Sequence, residues 1–228
     1  MSKRVLVVAA HPDDEVLGCG GAIARHCRNG DEVHTLILAK GLESRGTGES
    51  TSIDMLREDA IRANKVLGVD KLYFESFPDN KMDSVALLDV VKRVEIYVQK
   101  CQPEIIYTHF QNDLNIDHSV VARAVLTACR PVPGQSVKEI LFFEVLSSTE
   151  WDFSNASRPF APNCFIDITD TLELKLDSLN CYQSEMREFP HARSVKTVKA
   201  LAQYRGATIG VDAAESFVVG MSIRGEIL

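Results

Sequence analysis

No two of the six cysteines (Cys19, Cys27, Cys101, Cys129, Cys164 and Cys181) form a C-x-x-C pair, and they are scattered through 228 residues. A disulfide framework belongs to short secreted chains, so free thiols in a reducing compartment are expected. Basic charge is in short supply: 25 Lys and Arg against 32 Asp and Glu leave a net charge of −7. That argues against nucleic acid or an anionic membrane surface as a partner, since both draw on clustered cations. Long apolar runs are missing too. The run nearest the start, Val5 to Ala10, is too short for a signal segment or a membrane span, so no integral span and a cytoplasmic location are expected. Internal repeats and low-complexity tracts are absent. Tryptophan occurs once, at Trp151, where a core role and a substrate platform are both open.

What is present is ordinary in bulk and unusual in two places. A hydrophobic fraction of 45% over this length can bury a large core without staples. Val5 to Ala10 reads as a strand buried on both faces, Leu17 to Arg28 as a helix ended by Asn29-Gly30, and Glu32 to Ala39 as a second strand. The alternation continues with a helix at Ile53–Leu67 and a strand at Lys71–Phe74. A helix capped by Ser84 then buries Leu87, Leu88, Val91, Val94, Ile96 and Val98. A strand at Glu104–Thr108 leads to a helix capped by Asp117, and a further strand covers Glu139–Leu146. The last third predicts a short strand at Cys164–Ile168, helices at Thr169–Met186 and from Ser194 to Arg205, and a strand at Ala214–Ile223. This order predicts an α/β fold, Rossmann-like, with a mostly parallel doubly wound sheet and helices on both faces. Residues 1–228 are expected to form one domain, the last third being added to the same sheet.

Two dense polar clusters each follow a predicted strand. The first is His11-Pro12-Asp13-Asp14-Glu15 and the second is His109 to His118. In a parallel sheet both strand ends point to one edge, so the clusters should meet. Two imidazoles and a carboxylate make a catalytic zinc site, and His11, Asp14 and His118 can supply them. Such an ion acidifies water and polarises a carbonyl. A carboxylate outside the ligand set is then needed as general base, and Asp13 and Glu15 are the neighbours available. Pro12 and the glycines that follow should turn Asp13 and Asp14 in different directions. Gly18-Cys19-Gly20-Gly21 reads as close helix-to-strand packing rather than a phosphate cradle.

With Asp117-His118 closing the second cluster, the chain resembles the PIG-L-type (LmbE-like) family of zinc-dependent N-deacetylases. The likeness also takes in the Gly-Cys-Gly-Gly step and the helix carrying Arg57. It implies Zn2+, with Fe2+ as the alternative ion, held by His11, Asp14 and His118, and Asp13 as general base. It implies removal of an N-acetyl group from an amino sugar carried as a glycoside, a glycolipid precursor or a nucleotide sugar. Arg57 is then a clamp for a substrate hydroxyl or phosphate. Asp79 and Asn80 read as a turn by composition, with a sugar-hydroxyl contact as the second reading. Asp117 is expected behind an imidazole as well as at a helix cap, and Glu15 as support for the loop. The sequence departs from the family at Asn115, where many members carry a histidine assigned to the oxyanion. Asn115 can donate a hydrogen bond but carries no charge. Another group must therefore help, and His191 is preferred over His109 and Arg57.

Two other functions stay open on the sequence. One keeps the metal and makes the protein an amidase or deformylase on a non-sugar substrate. The other is a nucleotide-binding module without hydrolytic activity. The segments Lys40 to Ser52 and Ser147 to Asn163 are expected to decide substrate choice. Homo-oligomerisation is left open.

Overall fold

The apolar runs and amphipathic stretches assemble around a single sheet. The computed structural model describes residues 2–41, 50–154 and 158–225. Most of the Lys40 to Ser52 loop, and part of the Ser147 to Asn163 segment, lie outside the described residues. Among those described, the strands are β1 (Arg4–Ala9), β2 (Glu32–Ala39), β3 (Lys71–Phe77), β4 (Ile105–His109), β5 (Glu139–Phe143), β6 (Cys164–Asp167) and β7 (Ala214–Ser222). The helices are α1 (Asp14–Arg28), α2 (Ser50–Leu67), α3 (Leu87–Cys101), α4 (Ile116–Ala128), α5 (Leu172–Leu179) and α6 (Val195–Ala207).

The sheet order is β3-β2-β1-β4-β5-β7-β6. Strands β1 to β5 pair in parallel, and β7 runs antiparallel to both β5 and β6. The sheet is therefore mostly parallel, as expected. Alternate residues of β1 serve different cores. Val5 and Val7 face the side covered by α1, α2 and α5, while Leu6 and Val8 face α3 and α4. Burial on both faces is why the strand is unbroken Val and Leu rather than alternating with polar residues. After β1 the chain winds to β2 and β3 on one side and returns to place β4 on the other. The β1–β4 boundary is thus the switch point, where open α/β sheets leave a crevice at their carboxyl ends.

Four local expectations are corrected. Ser84 lies in a 3-10 turn, Met82–Ser84, and its hydroxyl donates to Lys81 O at 2.7 Å; α3 starts after Ala86 with no side-chain cap. The buried stripe of α3 is Val90, Val91, Val94, Val98 and Cys101, which leaves Leu88 and Ile96 exposed. Asn115, not Asp117, caps α4, accepting from the Asp117 N–H at 2.9 Å. The helix expected over Thr169–Met186 contracts to α5, Leu172–Leu179. Ser194 does cap α6, accepting from Thr197 N–H at 3.1 Å. All six cysteines are free. Among the described residues no helix is long and apolar enough to cross a membrane.

Candidate metal centre

Parallel pairing of β1 with β4 sets Val8 opposite Thr108, so the two polar clusters leave the sheet side by side. The Ala10 N–H donates to His109 Nε2 at 2.8 Å and ties the two strand ends together. Asp13 then takes a φ of 100°, a conformation rare outside glycine. That turn sends neighbouring carboxylates apart. Asp14 Oδ2 faces His11 Nδ1 and His118 Nε2, each at 3.2 Å, while Asp13 Oδ2 accepts from Arg193 at 2.7 Å.

Ligand atoms of His11, Asp14 and His118 all lie within 4.8 Å of one another. The far nitrogen of each imidazole meets carboxylate. His11 Nε2 is 3.0 Å from Asp117 Oδ2 and 3.3 Å from Asp79 Oδ1, and His118 Nδ1 is 3.1 Å from Asp113 Oδ1. Metal-binding histidines characteristically carry such a carboxylate behind them, which fixes the tautomer. Among the described residues Asp14 Oδ1 is buried without a hydrogen-bond partner, which is costly unless a cation satisfies it. The donor set suits a borderline ion such as zinc, and the residues fit the group the sequence implies. His11 keeps 13% of its side chain exposed, whereas Asp14 and His118 each keep 1%. Solvent therefore reaches the centre past His11.

Charge is concentrated here. Burial would lower the His11 pKa, but Asp117 and Asp14 outweigh it and raise it to about 10. Burial likewise opposes protonation of His118, yet Asp14 and Asp113 raise it to about 9. The two carboxylates respond oppositely. Burial pushes Asp13 above the ordinary range against the pull of Arg193, while the His118 charge overcomes burial to hold Asp14 well below it. His109 stacks on His118 with ring centroids 3.9 Å apart, and burial keeps it neutral.

The remaining expected residues are placed as follows. Glu15 lies under the loop, bonded to Tyr182, Asn64 and the Asp13 N–H. Asp117 also receives the Asn80 and Met82 N–H groups, at 2.7 and 2.8 Å, so it ties the turn after β3 to the centre. Asp79 stands on the turn that follows β3 and is buried beside His11. The Asn115 amide is engaged away from the ligands: its oxygen caps α4 and its nitrogen donates to Asn80 Oδ1 at 2.9 Å. His191 Nδ1 accepts from the Arg193 N–H at 3.0 Å, and its ring meets Trp151 edge-on at 6.0 Å. It is Arg193, two residues on, that reaches Asp13. The Arg57 guanidinium is exposed and lies 4.4 Å over the Phe74 ring. Sequence reasoning missed Asp113, whose carboxylate also takes the Ser148 and Thr149 hydroxyls. Its place inside the second cluster was the available signal. His26 and His34 are bonded to Asp31 and Glu32, outside this centre.

The fold and the site together define an α/β protein with a candidate metal centre at the switch point of its sheet. Its relatives narrow this further. The chain belongs to the PIG-L (GlcNAc-PI de-N-acetylase) family, whose pattern it matches over residues 6–129. It is 30% identical to the uncharacterized deacetylase YaiS of Escherichia coli K12, over 64% of this chain and 76% of that one. It is 26% identical to the 4-oxalmesaconate hydratase of Pseudomonas putida, over 95% of this chain and 86% of the relative. Diacetylchitobiose deacetylase of Thermococcus kodakarensis is 25% identical, over 96% of this chain and 84% of its own. Among solved structures, the conserved protein TT1542 from Thermus thermophilus superposes with a TM-score of 0.78 at 25% identity, covering 99% of this chain and 98% of that one.

Proposed function

We propose that the protein is a metal-dependent hydrolase that removes the N-acetyl group from an N-acetylated amino sugar. One observation carries this: His11, Asp14 and His118 converge while Asp13, next in sequence to a ligand, stands beside the group and outside it. His11, Asp14 and His118 would hold Zn2+, or Fe2+ in its place, and the ion would supply Lewis-acid polarisation of the acyl carbonyl. Asp13 takes a proton from the water that attacks the acyl carbon, and Arg193 holds that carboxylate in one orientation. The proton passes from Asp13 to the amide nitrogen as the C–N bond breaks, releasing acetate and a free amine. His191 accepts at Nδ1 from Arg193, which leaves the proton on Nε2 and makes that atom the proposed second donor to the acyl oxygen. Asn115, held by Asn80 and the start of α4, serves by fixing the turn around Asp117. Arg57 is proposed to meet a substrate hydroxyl or phosphate. The acting unit is proposed to be residues 1–228 as one domain, because β6 and β7 complete the sheet that carries the site.

The experiment is an acetate-release assay on N-acetylglucosamine, diacetylchitobiose and N-acetylated nucleotide sugars with Zn2+ or Fe2+ added. Release that vanishes in His118→Ala is expected. Metal-loaded protein that releases acetate from none of them would refute the sugar assignment. The likeness to a hydratase over almost the whole chain favours a second reading, addition of water to a conjugated double bond of a polycarboxylate. Loss of ultraviolet absorbance from such a substrate, with no acetate released from the sugars, would establish that reading instead.

A further inference from the structure

Helix α1 carries Asp14 on its first turn and is broken at Cys19, whose φ of −147° and ψ of 26° are not helical. In an unbroken helix the Gly21 N–H would bond the Leu17 carbonyl four residues back. Here each of those two groups is met by a buried charge from far along the chain. Lys175 Nζ, on α5, donates to Leu17 O at 2.8 Å. Glu215, on β7, accepts from the Gly21 N–H at 2.9 Å and the Ala22 N–H at 2.7 Å. Lys175 and Glu215 close the arrangement with an ion pair at 2.6 Å, and both are buried. The ammonium sits at the carboxyl end of the first half-helix and the carboxylate at the amino end of the second, which is the favourable sense for both dipoles.

The break bears on the metal centre from two directions. Asp14 lies one turn before it, on the half-helix whose end Lys175 holds. Gly18, at the break, presses so closely on the Phe143 ring that a Cβ there would overlap it. Phe143 packs edge-on against His109 with centroids 4.8 Å apart, and His109 stacks on His118 at 3.9 Å. The depth at which α1 is held therefore sets Asp14 directly and His118 through two rings.

We propose that Lys175 and Glu215 are positioning residues for the metal centre, splinting the break in α1 so that Asp14 and His118 stand at ligating distance. The proposal rests on the metal-centre reading above. A pair that merely stabilised the fold would lower the melting temperature and leave the affinity of the folded protein unchanged. A splint sets the affinity of the folded protein itself.

The test is titration of metal-free protein with Zn2+ against a chelating dye, on variants shown to be folded by circular dichroism. The neutral pair Lys175→Met/Glu215→Gln removes both charges without stranding either. Glu215→Gln alone, which leaves the buried Lys175 ammonium without its carboxylate, is titrated where it folds, and the conservative Lys175→Arg provides the folded alternative. Loss of carboxylates that orient ligands costs about 10–100-fold in metal affinity, and a fall of at least about tenfold is expected for the pair and for Glu215→Gln. Lys175→Arg, which still donates to Leu17 O, should retain most of the affinity. His11→Ala is the control. If it loses Zn2+ while the folded pair variant binds as wild type does, the splint is refuted and the metal centre stands. If His11→Ala also binds as wild type does, the metal-centre reading fails and the splint with it.

Discussion

Replacing Glu15 by Gln in metal-free protein tests how the loop beneath the site manages charge. Glu15 Oε1 accepts from the Tyr182 hydroxyl at 2.5 Å and Asn64 Nδ2 at 2.9 Å, and Oε2 accepts from the Asp13 N–H at 3.0 Å. Glutamine keeps the volume and one acceptor, but its NH2 must face a donor. A buried donor left without an acceptor costs about 1–3 kcal/mol, independent of pH. A second contribution does depend on pH. Burial pushes the Glu15 carboxyl from 4.5 up to about 7. A carboxyl whose pKa is raised on folding contributes stability that is full below 4.5 and is lost as pH rises to about 7. That interval, at about 1.4 kcal/mol per pH unit, corresponds to about 3 kcal/mol. Glutamine has no such dependence. Urea melts in the presence of chelator should therefore show the wild-type advantage over Glu15→Gln to be greatest near pH 4.5. It should fall by about 3 kcal/mol by about pH 8. An advantage that grows with pH would refute the reasoning, because it would mean that three donors outweigh burial and hold the carboxylate ionised.

Three further outcomes are expected. His11 and His118, at about 10 and about 9, hold protons at neutral pH in metal-free protein, whereas ligation needs neutral imidazoles. Zn2+ affinity should thus rise with pH and binding should release protons, measurable by calorimetry in buffers of different ionisation heat; equal heats in all buffers would count against it. Asp13→Asn should lower kcat by about 10²–10⁴-fold with metal content unchanged, checked by acetate release and metal analysis, and an active variant would remove Asp13 as base. Gly18→Ala should destabilise by about 1–3 kcal/mol through overlap with Phe143 and should weaken Zn2+ binding as well, both read from melts and titrations.

Much of this was legible in the residues. Val5 to Ala10 marked a doubly buried strand because both faces of β1 are covered. Asn29-Gly30 and Ser194 marked helix ends because capping chemistry is local. The convergence of His11, Asp14 and His118 could be anticipated because imidazoles and carboxylates are the side chains able to hold a metal and each cluster followed a strand. The helix cap was misread at Asp117 because Asn115 and Asp117 are equally good caps, and the choice turned on Asp117 being drawn to Asn80, Met82 and His11.

What the amino-acid sequence determined by itself was therefore local: alternating strands and helices, two polar clusters at strand ends, and a Gly-Cys-Gly-Gly step that had to lie against something. Tertiary structure alone decided that β4 pairs with β1, bringing His118 to His11 and Asp14 across about a hundred residues. It also decided that Arg193 would face Asp13, that Asp113 would stand behind His118, and that Lys175 and Glu215 would meet at the break in α1. The physical reason is reach. Periodicity and capping act within a turn or two of chain, whereas a buried charge takes its partner from whatever element the packed sheet sets beside it.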